Sequence, residues 1–210
     1  MDLQAWIDHF GVTIASISGV LAARGRRIDL FGVIVLALVT AFGGGTIRDV
    51  TLGDVPVFWV RDLGFIGNAA ATAVATFFIA RVFDFRLGIL MVADALVLAI
   101  FTMAGAQKAM AFHTSPGAVV LMGVITGVAG GIVRDLLTGQ VPLVFRQEIY
   151  LYATASFLGA ISFLLAGWVG ASAHVSVLVG LVVTLVVRLA GIRWRIALPV
   201  FEARDDRSRS

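Results

Sequence analysis

The stretch GGGTIRDVTLGDVP, residues 43–56, occurs a second time in this chain as AGGIVRDLLTGQVP, residues 129–142. The two copies align without a gap at an offset of 86 residues, which is 129 minus 43. The identical positions are Gly44, Gly45, Arg48, Asp49, Gly53, Val55 and Pro56, which match Gly130, Gly131, Arg134, Asp135, Gly139, Val141 and Pro142. The same offset pairs Asp8 with Asp94, Gly19 with Gly105 and Thr40 with Thr126. This pattern predicts an internal duplication that decides the fold.

The composition indicates a membrane protein. The chain has 210 residues, of which 60% are hydrophobic and 14% are charged, and its mean hydropathy is +1.00. Soluble domains contain about 45–50% apolar and about 25% charged residues. The net charge of +3 comes almost wholly from arginine, since Lys108 is the only lysine. No nucleic-acid partner is expected.

Cysteine and histidine usage argues against a redox or metal centre. The absence of cysteine excludes disulfides and thiolate sites, and the three histidines are scattered, with no pair at metal-ligand spacing. No cofactor is therefore expected. The opening residues MDLQAWID are acidic, unlike the basic start of a signal peptide, so we expect the first hydrophobic segment to stay in the protein.

Seven apolar runs predict seven transmembrane helices, because a bilayer core needs about 20 apolar residues per helix. They are Trp6–Ala23, Leu30–Val50, Leu63–Val82, Leu87–Gln107, Pro116–Leu137, Ile149–Val169 and Val175–Ala190. The connections are too short to join separate domains. We predict one membrane domain over residues 1–195 and a polar tail over residues 196–210.

The distribution of basic residues predicts the orientation. With the N-terminus outside, thirteen arginines fall on the inner side, and only Arg48, Arg61 and Lys108 fall on the outer side. Cytoplasmic loops carry the excess of Lys and Arg. We therefore expect a multi-pass protein of the prokaryotic inner membrane, with its N-terminus outside and its C-terminus in the cytoplasm.

Each copy of the repeat contains three predicted spans. Repeat one covers about residues 6–86, repeat two covers about residues 92–172, and the seventh span, about residues 175–190, lies outside both. An odd number of crossings makes the second copy enter the membrane from the opposite side. The expected fold is all-α, with two inverted three-helix repeats and a seventh helix, an architecture that is frequent in transport proteins.

The glycines of the motif allow two interpretations. Consecutive glycines weaken a helix, so Gly43, Gly44 and Gly45 in the second span, and Gly130 and Gly131 in the fifth, favour kinks. Kinked backbone within a membrane lies in protein or faces a water-filled cavity, where freed carbonyls near Gly130 and Gly131 could bind K⁺ or Na⁺. The alternative is packing alone, since small residues let helices approach closely.

The charges of the motif also allow two roles. Ionisable residues in a membrane usually face the bundle interior or a cavity, and they are often paired. The candidates for a pore vestibule, for gating or for a paired structural role are Arg48, Asp49, Arg134 and Asp135. Lys108 is a candidate for a cation repeller, a gating charge or a residue that reaches water from the helix end.

Asp94 is the most unusual polar residue of the predicted spans, because apolar sequence flanks it on both sides. Helical spacing places Thr102 and Lys108 near its face, and Ser16 follows Asp8 on a similar stripe of the first span. Such a stripe is typical of a wet wall, and with Thr40 and Thr126 it predicts an ion path. The alternative is an ion pair between Asp94 and an arginine of a neighbouring span.

The doubled Gly-Gly-x-x-Arg-Asp motif, the 86-residue repeat and the three-plus-three-plus-one spans resemble the prokaryotic branch of the trimeric intracellular cation channel family. The resemblance extends from Trp6 to about Arg188. It implies a homotrimer in the lipid membrane, with a pore in each protomer between the first, second, fourth and fifth spans. It also implies kinks at the glycines of both copies and passage of the monovalent cations K⁺ and Na⁺.

The residues alone indicate an inverted-repeat transport protein and leave two functions open. One is a channel, although no TVGYG-type selectivity loop is present. The other is a secondary carrier for a small zwitterion such as glycine, bound through its carboxylate at a half-helix N-terminus. An enzyme is not expected, since the sequence carries no P-loop, G-x-S-x-G or H-E-x-x-H motif.

Overall fold

The structure is a computed structural model that describes residues 3–83, 87–145 and 151–196. These residues form helices and connecting turns. The helices are α1 (Leu3–Ala22), α2 (Leu30–Leu52), α3 (Phe58–Arg61), α4 (Gly64–Val82), α5 (Leu87–Ala111), α6 (Pro116–Leu137), α7 (Tyr152–Trp168) and α8 (Ala173–Trp194). A single 3₁₀ turn, Leu143–Phe145, follows α6. The prediction of an all-helical protein is confirmed for the described part of the chain.

Each long helix lies on a predicted span. Within the described residues, α2, α4, α5, α6 and α8 are long and apolar enough to cross a membrane. The apolar parts of α1 and α7, Trp6–Ala22 and Tyr152–Trp168, are shorter, and the predicted start of the sixth span at Ile149 lies outside the described residues. The count of seven spans therefore stays a prediction, as do the single domain and the repeat boundaries. The predicted tail lies outside the described residues from 197 onward.

The sequence specifies where several helices begin and end. The carboxylate of Asp29 accepts a hydrogen bond from the backbone of the first turn of α2, and the hydroxyls of Ser115 and Ser172 do the same for α6 and α8. These residue types satisfy the free N–H groups of a helix start. At the other end, Gly53 after α2 and Gly139 after α6 adopt the left-handed conformation, with φ of 71° and 65°.

The glycines of the motif lie where α2 crosses α6. A Cβ atom on Gly44 would collide with the backbone oxygen of Thr126, and one on Gly130 would collide with the backbone oxygen of Thr40. These two contacts are related by the 86-residue offset. Since only glycine fits at either position, the pair lets the two helix backbones touch. Both α2 and α6 are continuous helices across the glycines. The predicted kinks stay a prediction.

The neighbouring contacts also occur twice. Gly19 on α1 packs against Thr40 and the Leu36 carbonyl of α2, and Gly105 on α5 packs against Thr126 and the Met122 carbonyl of α6. Each threonine hydroxyl donates to the carbonyl four residues earlier, at 2.6 Å. The helices α1, α2, α5 and α6 thus form the centre of the molecule through matched contacts.

The periphery is apolar and exposed. Large hydrophobic side chains of α4 and α8 lie on the surface, among them Phe78, Val82, Leu178 and Val186. Monomeric soluble proteins rarely expose such faces. These helices therefore have surfaces that suit lipid or another copy of the chain.

Candidate ion path between the repeats

A cavity of about 460 Å³ lies between α1, α2 and α5 at the end of the molecule where the first copy of the motif lies. Its walls combine charged and apolar side chains. They are formed by Asp8 and Val12 of α1; Ala41, Gly45 and Arg48 of α2; Phe58 and Phe65; Phe101, Ala104, Gln107, Lys108 and Ala111 of α5; and Thr126 of α6. We call this space the first-repeat cavity. It extends from the charged side chains to Thr126, which is at the α2–α6 crossing.

The charged wall of the first-repeat cavity is a connected set of ion pairs. Asp49 is fully buried, and its Oδ1 accepts from the Arg48 side chain at 2.7–2.8 Å and from Lys108 Nζ at 2.6 Å. Its Oδ2 accepts from the backbone N–H of Phe58 at 2.9 Å. Lys108 is held a second time by Asp54 Oδ2 at 2.5 Å. Two cations thus share one buried carboxylate at the cavity wall.

Asp54 extends this set into the loop after α2. Its carboxylate pairs with the Arg61 guanidinium and with Lys108. The hydrogen bond from Arg61, and secondly that from Lys108, lower the pKa of Asp54 from 3.8 to about 2. The same partner raises the pKa of Arg61. Both groups are therefore fully charged at neutral pH, and the α2–α3 loop is tied to α5.

The second copy of the motif makes the same local pair in different surroundings. Arg134 Nε donates to Asp135 Oδ1 at 2.9 Å, and Asp135 Oδ2 accepts from the backbone of Leu143 at 2.8 Å. The Arg134 guanidinium continues to Asp94 Oδ1 at 3.0 Å and to Ser18 Oγ at 2.6 Å. Arg134 is only 2% exposed, as is Asp94. The predicted alternative for Asp94, an ion pair with a neighbouring arginine, is present here.

Two residues that the sequence reasoning did not single out complete this second cluster. The guanidinium of Arg188, from α8, lies 4.7 Å from the centre of the Tyr152 ring, at the start of α7. Arg188 is fully buried, and Tyr152 is 5% exposed. An arginine within an apolar 22-residue helix was itself a signal of function, whereas Tyr152 carried none. The cluster therefore includes the helix that lies outside the repeat.

The structure distributes the predicted path residues over three places. The first-repeat cavity holds Gly45, Arg48, Lys108 and Thr126, with Asp49 behind it. The α2–α6 crossing holds Thr40, Gly43, Gly44 and Gly130, and the second cluster holds Asp94, Gly131, Arg134 and Asp135.

The remaining two, Ser16 and Thr102, are fully buried within helix contacts. Ser16 donates to the Val12 carbonyl at 2.8 Å, and Thr102 donates to the Leu98 carbonyl at 2.6 Å. Among the described residues, no group of three or more His, Cys, Asp or Glu side chains is arranged to hold a metal ion.

Comparison with known proteins finds similarity over nearly the whole chain. A family model described as "Glycine transporter" matches it twice, over residues 5–81 and 91–168. The inner membrane protein YadS of Escherichia coli, of the UPF0126 group, is 44% identical over 210 residues, which is 99% of this chain and 100% of that protein.

Two solved structures have the same fold. That of the trimeric intracellular cation (TRIC) channel orthologue from Rhodobacter sphaeroides is 36% identical and has a TM-score of 0.87, covering 93% of this chain and 100% of the other. A second structure, from a study of conductance through TRIC cation channels, is 30% identical with a TM-score of 0.86, covering 97% of this chain and 99% of the other.

Proposed function

The chain belongs to the family of the prokaryotic TRIC channels, and we propose that it conducts the monovalent cations K⁺ and Na⁺ through a pore in each protomer of a homotrimer. The identity of 36% over the full length of a solved channel supports a channel rather than an enzyme. The relatives that are named inner membrane proteins support a multi-pass inner-membrane location.

The observation that carries the proposal is the first-repeat cavity, which leads to the α2–α6 crossing. The cavity is charged at one end and reaches Thr126 at the other. At the crossing, the glycines bring the backbones of α2 and α6 into contact. Backbone oxygens of Thr40 and Thr126 lie against those glycines, and oxygen ligands suit hard cations. The ion path runs from the cavity past this crossing, where K⁺ or Na⁺ would bind near Gly130 and Gly131.

The cavity wall carries both cationic and anionic side chains. Arg48 and Lys108 share the carboxylate of Asp49, Lys108 also pairs with Asp54, and Asp8 adds a further carboxylate to the wall. A carboxylate about 4 Å from a cation gains roughly 1 kcal/mol in water and about 4 kcal/mol at an effective dielectric near 20. Asp8 is therefore the carboxylate of the cavity wall whose effect on cation passage can be tested.

Assembly as a trimer is supported by the solved relative that is named a trimeric channel and by the exposed apolar faces of α4 and α8. Helices associate within a bilayer through close packing rather than the hydrophobic effect. The lipid membrane and the neighbouring protomers share these faces. Light scattering in mild detergent or in nanodiscs tests the assembly, and a monodisperse monomer in both contradicts it.

The experiment that tests the channel is single-channel recording of the purified protein in planar bilayers. We expect unitary currents in KCl and NaCl of similar size, and a reversal potential in a salt gradient that indicates cation selectivity. Asp8→Asn should lower the cation conductance or the cation-over-anion selectivity, whereas Arg193→Gln, at the exposed end of α8, should change neither. Protein that assembles fully but passes no unitary current contradicts the proposal.

A second candidate function is a carrier for a small zwitterion such as glycine. The family model described as "Glycine transporter" favours it, and the first-repeat cavity holds groups for both charges of a zwitterion. They are the cations Arg48 and Lys108, which also pair with Asp49, and the carboxylate of Asp8. Uptake of radiolabelled glycine into proteoliposomes, saturable and without unitary currents, would establish the carrier in place of the channel.

A further inference from the structure

The place in the second repeat that matches the first-repeat cavity is filled by an ion pair. The 86-residue offset carries Arg48 to Arg134, and it relates Ala104 on the cavity wall to Ser18. The Arg134 Nη1 atom donates both to Asp94 Oδ1 at 3.0 Å and to Ser18 Oγ at 2.6 Å. Ala104 has only a methyl group, so the first repeat lacks the corresponding hydroxyl contact. The serine–alanine difference is thus one of the differences between the two ends.

This contact links three helices, and we call it the three-helix bridge: Arg134 of α6, Asp94 of α5 and Ser18 of α1. All three residues are at most 2% exposed. These are three of the four helices between which the proposed ion path runs. The bridge therefore lies across the continuation of that path, between the α2–α6 crossing and the far end of the molecule.

Tyr152 and Arg188 support the bridge from outside the four central helices. A Cβ atom on Gly131 would lie 3.2 Å from the Tyr152 hydroxyl and 3.7 Å from Arg134 Nη2, so the hydroxyl lies close to the bridge. The Arg188 guanidinium lies 4.7 Å from the centre of the Tyr152 ring. Both residues interact electrostatically with Asp94.

Neither support has an equivalent in the first repeat. The offset places Ile66 at the position that corresponds to Tyr152, and α8 is not repeated. The first-repeat end thus has a cavity and lacks such residues. The second-repeat end has the buried three-helix bridge together with Tyr152 and Arg188. The difference between the two ends coincides with Tyr152 and Arg188.

The charges explain why Arg188 is needed. The buried side chains here include two carboxylates, Asp94 and Asp135, and two guanidiniums, Arg134 and Arg188. A buried charge is costly unless it is paired. Without Arg188 the same space would hold an excess negative charge, which attracts water and cations. A closed bridge therefore depends on a residue of α8.

We propose that Tyr152 and Arg188 form a latch that keeps the three-helix bridge closed and so gates the second-repeat end of the ion path. The proposal rests on the proposed channel function for its effect on current. The latch makes α7 and α8, which lie beside the four central helices, the elements whose movement opens this end. The expected open state has Arg134 released from Ser18 and Asp94, with water between α1, α5 and α6.

Single-channel recording of Arg188→Leu tests the latch, with Arg193→Leu on the exposed end of the same helix as the matched control. We expect Arg188→Leu to raise the open probability by roughly tenfold or more, because loss of one partner from a buried charge set shifts an equilibrium by at least a decade. Unitary conductance should stay the same. A role in stability alone would lower the melting temperature and leave open probability unchanged, which would overturn the proposal.

A second measurement does not depend on current. Because the chain has no cysteine, Ser18→Cys provides a single thiol at the bridge for a charged, membrane-impermeant methanethiosulfonate. We expect slow labelling in that background, fast labelling after Arg188→Leu is added, and slow labelling after Arg193→Leu is added. Equal rates in all three overturn the latch. A third outcome separates the two proposals. If Arg188→Leu speeds the labelling of Ser18→Cys but no protein, wild type included, passes current, the latch is retained and the channel is refuted.

Tyr152→Phe keeps the proposal testable if Arg188→Leu does not assemble. It removes the hydroxyl beside the bridge and keeps the ring next to Arg188. We expect a smaller rise in open probability and in Ser18→Cys labelling than for Arg188→Leu. An assembled Tyr152→Phe protein with wild-type values of both contradicts the latch.

Discussion

The two Arg–Asp pairs of the repeat are alike locally and differ in what lies beyond them. In both, the arginine Nε donates to the next aspartate, at 2.8 Å for Arg48 and 2.9 Å for Arg134. In both, the second carboxylate oxygen accepts a backbone N–H from the segment that follows. Arg48 then lines a cavity, whereas Arg134 continues to Asp94 across the bundle. The repeated motif sets the pair, and residues that are not repeated set the surroundings.

The unmatched residues differ in kind at the two ends. Lys108, the second cation on Asp49, corresponds to Ala22 in the other copy. The hydroxyl of Ser18, which Arg134 uses, corresponds to the methyl group of Ala104. One end thus has a lysine that pairs with Asp49 and Asp54, and the other has a serine hydroxyl that accepts from Arg134. The two copies of the motif thus differ in their surroundings because residues outside the motif differ.

The largest expected difference between the ends concerns the arginines themselves. Arg134→Met would leave Asp94 and Asp135 buried without this cation, and we expect it to lower the free energy of unfolding by about 3–5 kcal/mol. Arg48→Met should cost only about 1–2 kcal/mol, because Asp49 keeps Lys108 and the loss is of charge-assisted hydrogen bonds. Thermal melting with size-exclusion readout compares the two. If Arg134→Met and Arg48→Met lowered the free energy of unfolding equally, the two ends would be equally closed.

The next effect concerns Asp94, for which a pore wall and an ion pair were both expected. Its contact with Arg134 at 3.0 Å favours a structural role. We expect Asp94→Asn to destabilise the protein by about 1.5–3 kcal/mol, the value of a hydrogen bond to a charged group, while surviving channels keep their selectivity. Loss of cation selectivity with a normal melting temperature would instead assign Asp94 to the pore wall.

Substitution of the two matched glycines should lower the stability by similar amounts, unlike substitution of the two arginines. Gly44→Ala and Gly130→Ala each place a methyl group against a backbone oxygen of the crossing helix, and we expect each to cost about 1–3 kcal/mol through overpacking. Gly67→Ala on α4 is the control, since open space surrounds it. It should be neutral or stabilising, by up to about 1 kcal/mol, because Ala favours helix. Very different losses at Gly44 and Gly130 would mean that the crossing is not symmetric.

Much of the fold was predictable because it depends on patterns that span many residues. Apolar runs located the long helices α2, α4, α5, α6 and α8, and the 86-residue offset identified the glycines that meet at the α2–α6 crossing. The four-residue helix α3 was not predicted, since its apolar residues continue those of the loop. It positions Phe58, whose N–H holds Asp49.

The site was less predictable because it depends on single side chains from distant parts of the chain. Periodicity placed Asp94 on a polar stripe, but it could not show that Arg134, 40 residues later, lies within hydrogen-bond distance. Lys108 was a candidate for a cation repeller, a gating charge or a residue that reaches water. Its pairing with Asp49, 59 residues earlier, depends on how α2 and α5 pack. Such contacts follow from the tertiary structure and leave no local pattern.

The smallest expected effect concerns the first-repeat end, where the loop after α2 is tied to α5 through Asp54. The pKa of this carboxyl is about 2 in the folded protein, against an ordinary value of 3.8. A group whose pKa is lowered by folding stabilises the protein above its unfolded pKa and loses that contribution as the pH falls. The contribution is therefore complete at neutral pH and disappears between about pH 4 and pH 2. It should stay below about 1 kcal/mol, because the pair with Arg61 is partly exposed.

Asp54→Asn should accordingly lower the melting temperature slightly at pH 7 and not at pH 2, if both proteins remain folded there. Gln140 occupies the matching position of the second repeat, so Gln140→Glu serves as the control and should not reproduce this acid dependence. Melting curves of the three proteins at pH 7, 4 and 2 make the comparison, and an Asp54→Asn effect of the same size at every pH would remove the Arg61 and Lys108 pairs as its cause.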